Sequence, residues 1–282
     1  MGRSPDRIIG RTTVRDALDS AVIAFTAAGV DSPRLDAELL LSAATGLERA
    51  RIVTDPGRAL EPGEARIFAE LALRRREREP VAYILGSKGF RTIELKVDPR
   101  VLIPRPETEL VVEAALGLPR GVRVVDVGTG SGAIALALKA ERPDLRIVGT
   151  DRSQGALAVA RVNALLLGLE IELLEGDLLA PVEGPVDAVL SNPPYVADPE
   201  RGRLAPEITR YEPEEALFAG PHGLAVYVRL APAARRAGAA FVAVEVGDGQ
   251  AEDVAGLLRA AGYAATAVDR DLAGIGRVVR AW

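Results

Sequence analysis

The chain has 282 residues, of which 48% are hydrophobic and 27% are charged, as expected for a globular protein of about two domains. It contains no cysteine and one histidine, His222, which excludes disulfides, thiolate metal sites and metal centres built from several histidines. The net charge of −5 comes from residues 86–282, which argues against tight binding of a long nucleic acid, because that binding needs basic side chains.

No stretch of the sequence reaches the roughly 20 apolar residues that a membrane-spanning helix needs. Residues 1–7 also lack the apolar segment of a signal peptide. We therefore expect a cytoplasmic protein that holds no metal and has no membrane partner.

Residues 12–79 are predicted to form helices, because apolar side chains recur at helical spacing between capping signals. Proline at the first helical position marks two of the starts, at Pro33 and Pro62. The arginine-rich run 74–78 is either a solvated helix terminus, favoured by the helix dipole, or a docking surface for an acidic or RNA partner. We predict a helical-bundle domain over residues 1–80 that serves in substrate recognition.

The pattern changes in residues 80–105. Apolar and polar residues alternate over 81–97, which is typical of a β-hairpin. Proline on each side of Arg105 then requires an extended backbone. These features predict a hairpin linker over residues 81–105, followed by a catalytic domain over residues 106–282.

Predicted strands and helices alternate in this last part of the chain, which is the signature of a parallel sheet. The final two strands are separated by a short loop only, so we expect them to pair antiparallel. The predicted strands cover residues 122–127, 146–150, 171–174, 186–190, 241–246, 263–268 and 276–281.

A glycine-rich segment between the first of these strands and the next helix is the first candidate for ligand binding. Glycine allows a tight turn and a close approach of the backbone to a ligand. The spacing also fits a dinucleotide fingerprint, so the pattern alone does not decide between cofactors. The segment, here called the glycine loop, consists of Gly128, Thr129, Gly130, Ser131 and Gly132.

Carboxylates at the ends of the first three strands favour a cofactor that carries adenosine. Asp151 can accept hydrogen bonds from ribose hydroxyls, and Asp177, followed by Leu178, can accept one from the exocyclic amine of an adenine. Asp126 precedes the glycine loop, where it would repel a pyrophosphate but can bind an ammonium group directly or through water. This combination favours S-adenosylmethionine over a nicotinamide dinucleotide.

The second candidate is the tetrapeptide Asn192, Pro193, Pro194 and Tyr195, which follows the fourth strand. In open α/β sheets ligands bind at this carboxyl edge. The prolines have no N–H to donate, so the segment offers oxygen acceptors and a flat ring. Asn192 and the Pro193 carbonyl can accept both hydrogens of a substrate amino group while Tyr195 covers it, with Asn192 also facing the cofactor. We therefore predict methyl transfer to nitrogen, although a rigid turn without chemistry would show the same residues.

In combination these motifs resemble the family of peptide chain release factor glutamine N5-methyltransferases. The resemblance covers nearly the whole chain, and its most specific part is the Ile-Pro-Arg-Pro-Glu-Thr-Glu run. The matching segments are residues 82–86, 102–109, 126–132, 192–195, 211–213 and 245–247.

The resemblance implies S-adenosylmethionine as cofactor, S-adenosylhomocysteine as product, and the glutamine of the Gly-Gly-Gln loop of class 1 release factors as substrate. It also implies an α/β fold, with a seven-stranded Rossmann-like methyltransferase domain behind a small helical domain. The chain departs from the family at His222, where aspartate is usual, and at Leu178, where an aromatic residue can lie beside the adenine. The alternatives are an adenine N6- or cytosine N4-methyltransferase acting on RNA or DNA, and a binding module without activity.

Overall fold

The computed structural model describes residues 12–282, and the expectation for residues 1–7 falls outside them. The chain divides into two compact units, with the division after Leu85. Among the described residues, no helix is long and apolar enough to cross a membrane. The domain bounds 1–80, 81–105 and 106–282 stay a prediction.

The first unit is helical where it is described. Thr13 caps its first helix: the side chain accepts the Asp16 N–H at 3.2 Å, and the Asp16 carboxylate accepts the Thr13 N–H in return. Phe25, Leu40 and Leu41 are fully buried in the core that these helices enclose. The helices are α1 (Val14–Ala27), α2 (Pro33–Thr45), α3 (Arg49–Thr54), α4 (Pro62–Arg76) and α5 (Val81–Leu85).

The arginine-rich run 74–78 at the end of α4 makes contacts within this unit. Arg75 is only 6% exposed, and its Nε donates to Asp36 Oδ2 at 2.7 Å, which ties α4 to α2. Arg78 donates to the carbonyl of Ala28 at 2.9 Å. The interpretation as a solvated terminus is therefore wrong for Arg75, because its guanidinium is a buried partner of a carboxylate.

The second unit begins with a hairpin of β1 (Ser87–Phe90) and β2 (Ile93–Lys96). The hairpin is shorter than the alternation predicted, because residues 81–85 form α5 instead of a strand. The N–H groups of Tyr83 and Ile84 both donate to the Pro80 carbonyl at 3.0 Å, and Ile84 packs into the helical core of the first unit. Burial of this side chain outweighs the local alternation.

The main sheet of the second unit has seven strands, in the spatial order β5-β4-β3-β6-β7-β9-β8. β9 runs antiparallel to both of its neighbours, and the other pairs are parallel. This arrangement confirms the predicted Rossmann-like fold and its antiparallel last pair. The strands are β3 (Arg123–Val127), β4 (Arg146–Asp151), β5 (Glu172–Glu175), β6 (Ala188–Ser191), β7 (Phe241–Glu245), β8 (Thr266–Arg270) and β9 (Gly276–Ala281).

Helices cover both faces of this sheet, so its central strands are buried on both sides. Val124 of β3 belongs to one hydrophobic core, and the next residue, Val125, belongs to the other. The chain order reverses between β3 and β6, and ligands bind at such a reversal in open α/β sheets. The helices are α6 (Glu109–Leu116), α7 (Ala133–Glu141), α8 (Gln154–Leu167), α9 (Pro206–Tyr211), α10 (Ala225–Arg236) and α11 (Ala251–Ala260).

Candidate active site

A cavity of about 370 Å³ lies at the carboxyl ends of β3, β4 and β6. The glycine loop and the tetrapeptide meet there because their strands are neighbours, with Val127 opposite Ser191. The Ser191 hydroxyl donates to the Val127 carbonyl at 2.7 Å and joins the two strand ends. The predicted site residues in the cavity wall are Gly128, Thr129, Gly130, Ser131, Asp151, Asp177, Leu178, Asn192, Pro193 and Pro194; Asp126, Gly132 and Tyr195 lie outside it.

The glycine loop is fixed to the end of β4 through its backbone. The N–H groups of Gly128 and Thr129 donate to the Thr150 carbonyl at 2.8 and 2.9 Å, and that of Gly130 donates to Asp151 Oδ2 at 2.9 Å. Gly128 and Gly130 have φ angles of 72° and 57°, a left-handed conformation that favours glycine. The loop thus presents a preformed backbone surface to the cavity.

Gly132 serves packing rather than ligand contact. A Cβ at this position would lie 2.8 Å from Leu136 Cδ1 and 3.5 Å from Ala160 Cβ. Glycine therefore leaves room for the Leu136 side chain of α7 at the start of that helix. The sequence pattern could not separate this role from the roles of the other two glycines.

Asp151 retains capacity to accept further hydrogen bonds. Its Oδ2 accepts the Gly130 N–H, and its Oδ1 accepts the Ser153 N–H at 2.9 Å. Each carboxylate oxygen has a second lone pair, so both can still accept a ligand hydroxyl. Burial raises the pKa of this carboxyl, and the two backbone N–H groups oppose that rise.

Asp126 is a buried carboxyl behind the glycine loop, with 1% of its surface exposed. Its Oδ2 accepts the Thr129 hydroxyl at 2.7 Å and the Ala135 N–H at 3.2 Å. Its Oδ1 has no hydrogen-bond partner among residues 12–282. Burial raises the pKa of Asp126 to about 7. Asp126 is thus a buried carboxyl with one unpaired oxygen, and its contact with a cofactor stays a prediction.

Asp177 and Leu178 form the far side of the cavity wall. Asp177 is paired with Arg229, and both side chains are more than half exposed. Leu178 has a φ of 52°, which is strained for a residue with a Cβ, and its carbonyl accepts the Thr150 hydroxyl at 2.8 Å. An adenine amine that bonded to Asp177 would therefore have to share this carboxylate with Arg229.

The side chain of Asn192 is held from one end only. Its Nδ2 donates to Thr108 Oγ1 at 2.9 Å. Its Oδ1 is buried and has no hydrogen-bond partner within the described part of the chain. Because Asn192 lines the cavity, this free acceptor is available to a ligand that donates an N–H.

Tyr195 is held at two points beyond the cavity wall. Its hydroxyl donates to Glu245 Oε1 at 3.2 Å, and its carbonyl accepts Gln250 Nε2 at 2.9 Å. Gln250 Oε1 in turn accepts the Gly247 N–H at 2.9 Å. Burial, with the charge of Glu245, raises the pKa of the Tyr195 hydroxyl. Contact of its ring with a substrate amide stays a prediction.

The sequence did not assign roles to Thr108, Glu245 or Gln250, although they support the tetrapeptide directly. Thr108 and Glu245 are 3% and 1% exposed, and the Thr108 hydroxyl donates to Glu245 Oε2 at 2.5 Å. Burial raises the pKa of Glu245 to about 7. The sequence feature that could have identified Thr108 and Glu245 is that both lie within segments shared with the family that the chain resembles.

A second buried carboxylate connects two segments beside the cavity. Glu212, 5% exposed, accepts Arg105 at 2.5 Å and the Ile103 N–H at 3.4 Å. Burial raises the pKa of Glu212, and the charge of Arg105 opposes that rise. The pair fixes Pro104 and Pro213, which both line the cavity.

His222 is exposed, and nothing in the structure assigns it a role. Among the described residues, no group of three or more His, Cys, Asp or Glu side chains could hold a metal ion.

The fold is that of a Rossmann-like methyltransferase: an open seven-stranded sheet that carries a glycine loop and an amide-bearing tetrapeptide at neighbouring strand ends. Residues 16–86 match the family model of the PrmC N-terminal domain, and residues 107–224 match that of the methyltransferase small domain. The chain belongs to the release factor glutamine methyltransferase family, whose members are enzymes.

Individual relatives support this membership over most of the chain. The release factor glutamine methyltransferase of Rhodospirillum rubrum is 43% identical, over 91% of this chain and 81% of the relative. The protein of the same name from Geobacter sulfurreducens is 40% identical, over 95% of each chain. A crystal structure of a methyltransferase from Pyrococcus furiosus shares the fold alone, with 18% identity and a TM-score of 0.51 over 66% of this chain and 87% of that chain.

Proposed function

We propose that this enzyme transfers a methyl group from S-adenosylmethionine to the side-chain nitrogen (N5) of the glutamine in the Gly-Gly-Gln motif of class 1 release factors. The observation that carries the proposal is Asn192 Oδ1, a buried acceptor in the cavity wall without a hydrogen-bond partner among the described residues. A buried polar atom left unpaired costs roughly 1–3 kcal/mol, and the primary amide of a glutamine supplies the missing donor.

The cavity wall and the carboxyl of Asp126 behind it also support binding of the methyl donor. Asp126 Oδ1 is a second buried acceptor without a partner in the described chain, and a carboxylate there would attract the ammonium group of a methionine moiety. Asp151 would hold the ribose, and Asp177 and Leu178 would border the adenine. When bound, S-adenosylmethionine supplies a methyl group activated by its positively charged sulfur and leaves as S-adenosylhomocysteine.

The contribution of the chain to catalysis is orientation of the acceptor nitrogen. A glutamine nitrogen is a poor nucleophile because its lone pair is delocalised into the carbonyl. Asn192 Oδ1 and the Pro193 carbonyl accept the two amide hydrogens, while Pro194 keeps the segment stiff and Tyr195 packs against the amide plane. Holding reactants in line can contribute up to roughly 7–11 kcal/mol. No general base is needed before transfer, because the surplus proton leaves to solvent afterwards.

The partner follows from the names of the relatives and from the charge of the chain. Both relatives above are named for a release factor, and the net charge of −5 in residues 86–282 does not favour a long nucleic acid. We assign recognition of the release factor to residues 1–80, a linking role to 81–105 and methyl transfer to 106–282. A substrate of translation places the enzyme in the cytoplasm.

The proposal is tested with purified class 1 release factor, S-adenosylmethionine and mass spectrometry. We expect one added methyl group, located on the glutamine of the Gly-Gly-Gln motif. Asn192→Ala should lower kcat at least about 100-fold, because the nitrogen is no longer oriented. Retained binding of S-adenosylhomocysteine by calorimetry is the control for an intact cofactor site.

Two results would contradict this function. One is methylation of RNA or DNA in place of the release factor under the same conditions. The other is normal turnover of the release factor by Asn192→Ala.

A further inference from the structure

A series of hydrogen bonds leads from the half-buried Asn192 to two buried side chains behind the tetrapeptide, Thr108 and Glu245. Asn192 Nδ2 donates to Thr108 Oγ1 at 2.9 Å, and Thr108 Oγ1 donates to Glu245 Oε2 at 2.5 Å. The three residues come from separate segments: the loop after β6, the turn before α6 and the end of β7. These two hydrogen bonds therefore form only when the sheet edge is assembled.

The number of available protons fixes which atom donates in each of these hydrogen bonds. A threonine hydroxyl has one proton, and here a carboxylate, which can only accept, takes it. The Thr108 oxygen must then accept from Asn192, and only the Nδ2 end of the asparagine amide can donate. The Oδ1 end is consequently turned away from Thr108, in agreement with its lack of a partner among the described residues.

The same carboxylate holds the other end of the tetrapeptide. Its second oxygen, Oε1, accepts the Tyr195 hydroxyl at 3.2 Å. The backbone carbonyl of Glu245 accepts the Tyr227 hydroxyl at 2.7 Å, which fixes the residue within the core. Glu245 thus holds Tyr195 directly through Oε1 and Asn192 indirectly, by way of Thr108, through Oε2.

We infer that Glu245 and Thr108 are positioning residues of the transfer reaction, which fix the side-chain amide of Asn192 with its oxygen toward the substrate nitrogen. Glu245 lies outside the cavity wall and acts through Thr108 and Tyr195, whereas Thr108 borders the cavity and acts through its hydrogen bond to Asn192. This inference rests on the proposed function for what Asn192 binds. The orientation of Asn192 itself can be tested without any substrate.

The activity test compares Thr108→Ser with Thr108→Ala. Both variants lose the threonine methyl group, so they share any packing defect, and only serine keeps the hydroxyl. We expect kcat on release factor to fall about 10- to 100-fold in Thr108→Ala and to stay within about threefold of wild type in Thr108→Ser. KM for S-adenosylmethionine should change little. Thr266→Val, which removes an exposed hydroxyl bound to Arg259, is the matched control and should retain full activity.

The orientation test follows the side-chain NH₂ signals of Asn192 in a ¹⁵N spectrum, assigned by their loss in Asn192→Ala. We expect these protons to exchange with water faster in Thr108→Ala than in Thr108→Ser. Equal exchange rates in the two variants, or equal kcat, would overturn the inference. A wild-type enzyme that is inactive on release factor would contradict the proposed function instead and leave the exchange comparison to decide the inference.

Discussion

The backbone of Gly223 lies directly against the carbonyl of Tyr195. A Cβ on Gly223 would overlap the Tyr195 carbonyl oxygen and lie 2.6 Å from Gln250 Nε2, the donor to that carbonyl. Gly223 also has a φ of 69°. The loop that carries Gly223 therefore supports the tetrapeptide from behind, and any side chain there would displace it.

We predict that Gly223→Ala lowers kcat at least about tenfold, because Tyr195 must move and the Gln250 hydrogen bond is lost. Gly274→Ala is the matched control, since Gly274 has a φ of 81° and no atom near the position of a Cβ. Both variants carry the cost of a left-handed alanine, roughly 1–2 kcal/mol, so this cost cancels in the comparison. Steady-state kinetics of the two variants measure the steric effect alone, and equal activities would contradict the contact.

The protonation of Glu245 should control kcat near neutral pH. Burial raises its pKa to about 7, the nearby charge of Glu107 acts in the same direction, and Arg277 opposes. Below this pH the carboxyl is protonated and must donate on one oxygen, which competes with the hydroxyls of Thr108 and Tyr195. We expect kcat to fall as the pH drops through about 7.

Glu245→Gln separates this titration from others in the same range. The variant removes the ionisation, so the dependence of kcat on pH near 7 should flatten, at a lower plateau than in wild type. Asp126 also titrates near 7, but its loss of charge should raise KM for the cofactor instead of lowering kcat. A wild-type pH profile kept unchanged in Glu245→Gln would contradict the assignment to Glu245.

Asp126 should make the ligand-free enzyme less stable as the pH rises. A carboxyl whose pKa is raised to about 7 by folding stabilises the folded state below its unfolded pKa, near 4, and that contribution is lost as the pH rises through 7. Asp126→Asn keeps an acceptor for the Thr129 hydroxyl and the Ala135 N–H but cannot ionise. We expect its free energy of unfolding to exceed that of wild type by up to roughly 4 kcal/mol at pH 8, with little difference at pH 4.

Urea unfolding followed by the fluorescence of Trp282 measures this difference, since it is the single tryptophan of the chain and lies in the second unit. The same variant should bind S-adenosylhomocysteine at least about tenfold more weakly. A pH-independent difference in stability would show that folding does not raise the pKa of Asp126.

Removing Arg105 should leave Glu212 as an unpaired buried charge. We expect Arg105→Met to lower the free energy of unfolding by about 3 kcal/mol at pH 8. Adding Glu212→Gln should recover at least half of this loss, because the unpaired charge is gone. The effect of Arg105→Met should also be smaller at pH 5 than at pH 8, because burial raises the pKa of Glu212 and a proton on its carboxyl removes the unpaired charge. A loss that is the same at both pH values would indicate a packing effect of Arg105 instead.

The sequence predicted those features that depend on local periodicity and on glycine or proline. The seven strands, the antiparallel last pair and the positions of the glycine loop and the tetrapeptide at strand ends follow from such signals. Residues 81–85 are predicted as part of the hairpin, yet Ile84 packs into the helical core of the first unit and these residues form α5. Local pattern carries no information about that contact.

The supporting contacts of the site are also beyond local pattern. Thr108 and Glu245 are 137 residues apart, and Arg105 and Glu212 are 107 apart. Such pairs depend on the spatial order of the strands, which a single sequence does not specify. The resemblance to a family marked the segments that contain these residues but not what the residues do.

The register of β3 and β6 has a consequence for how this fold diversifies. Because Val127 pairs with Ser191, the glycine loop and the tetrapeptide leave strands that are one inter-strand spacing apart, about 5 Å. Main-chain geometry sets this spacing, so it does not change when side chains are replaced. Under the proposed function, new acceptors can therefore arise through remodelling of the segment 196–217, while the distance between methyl donor and acceptor stays the same.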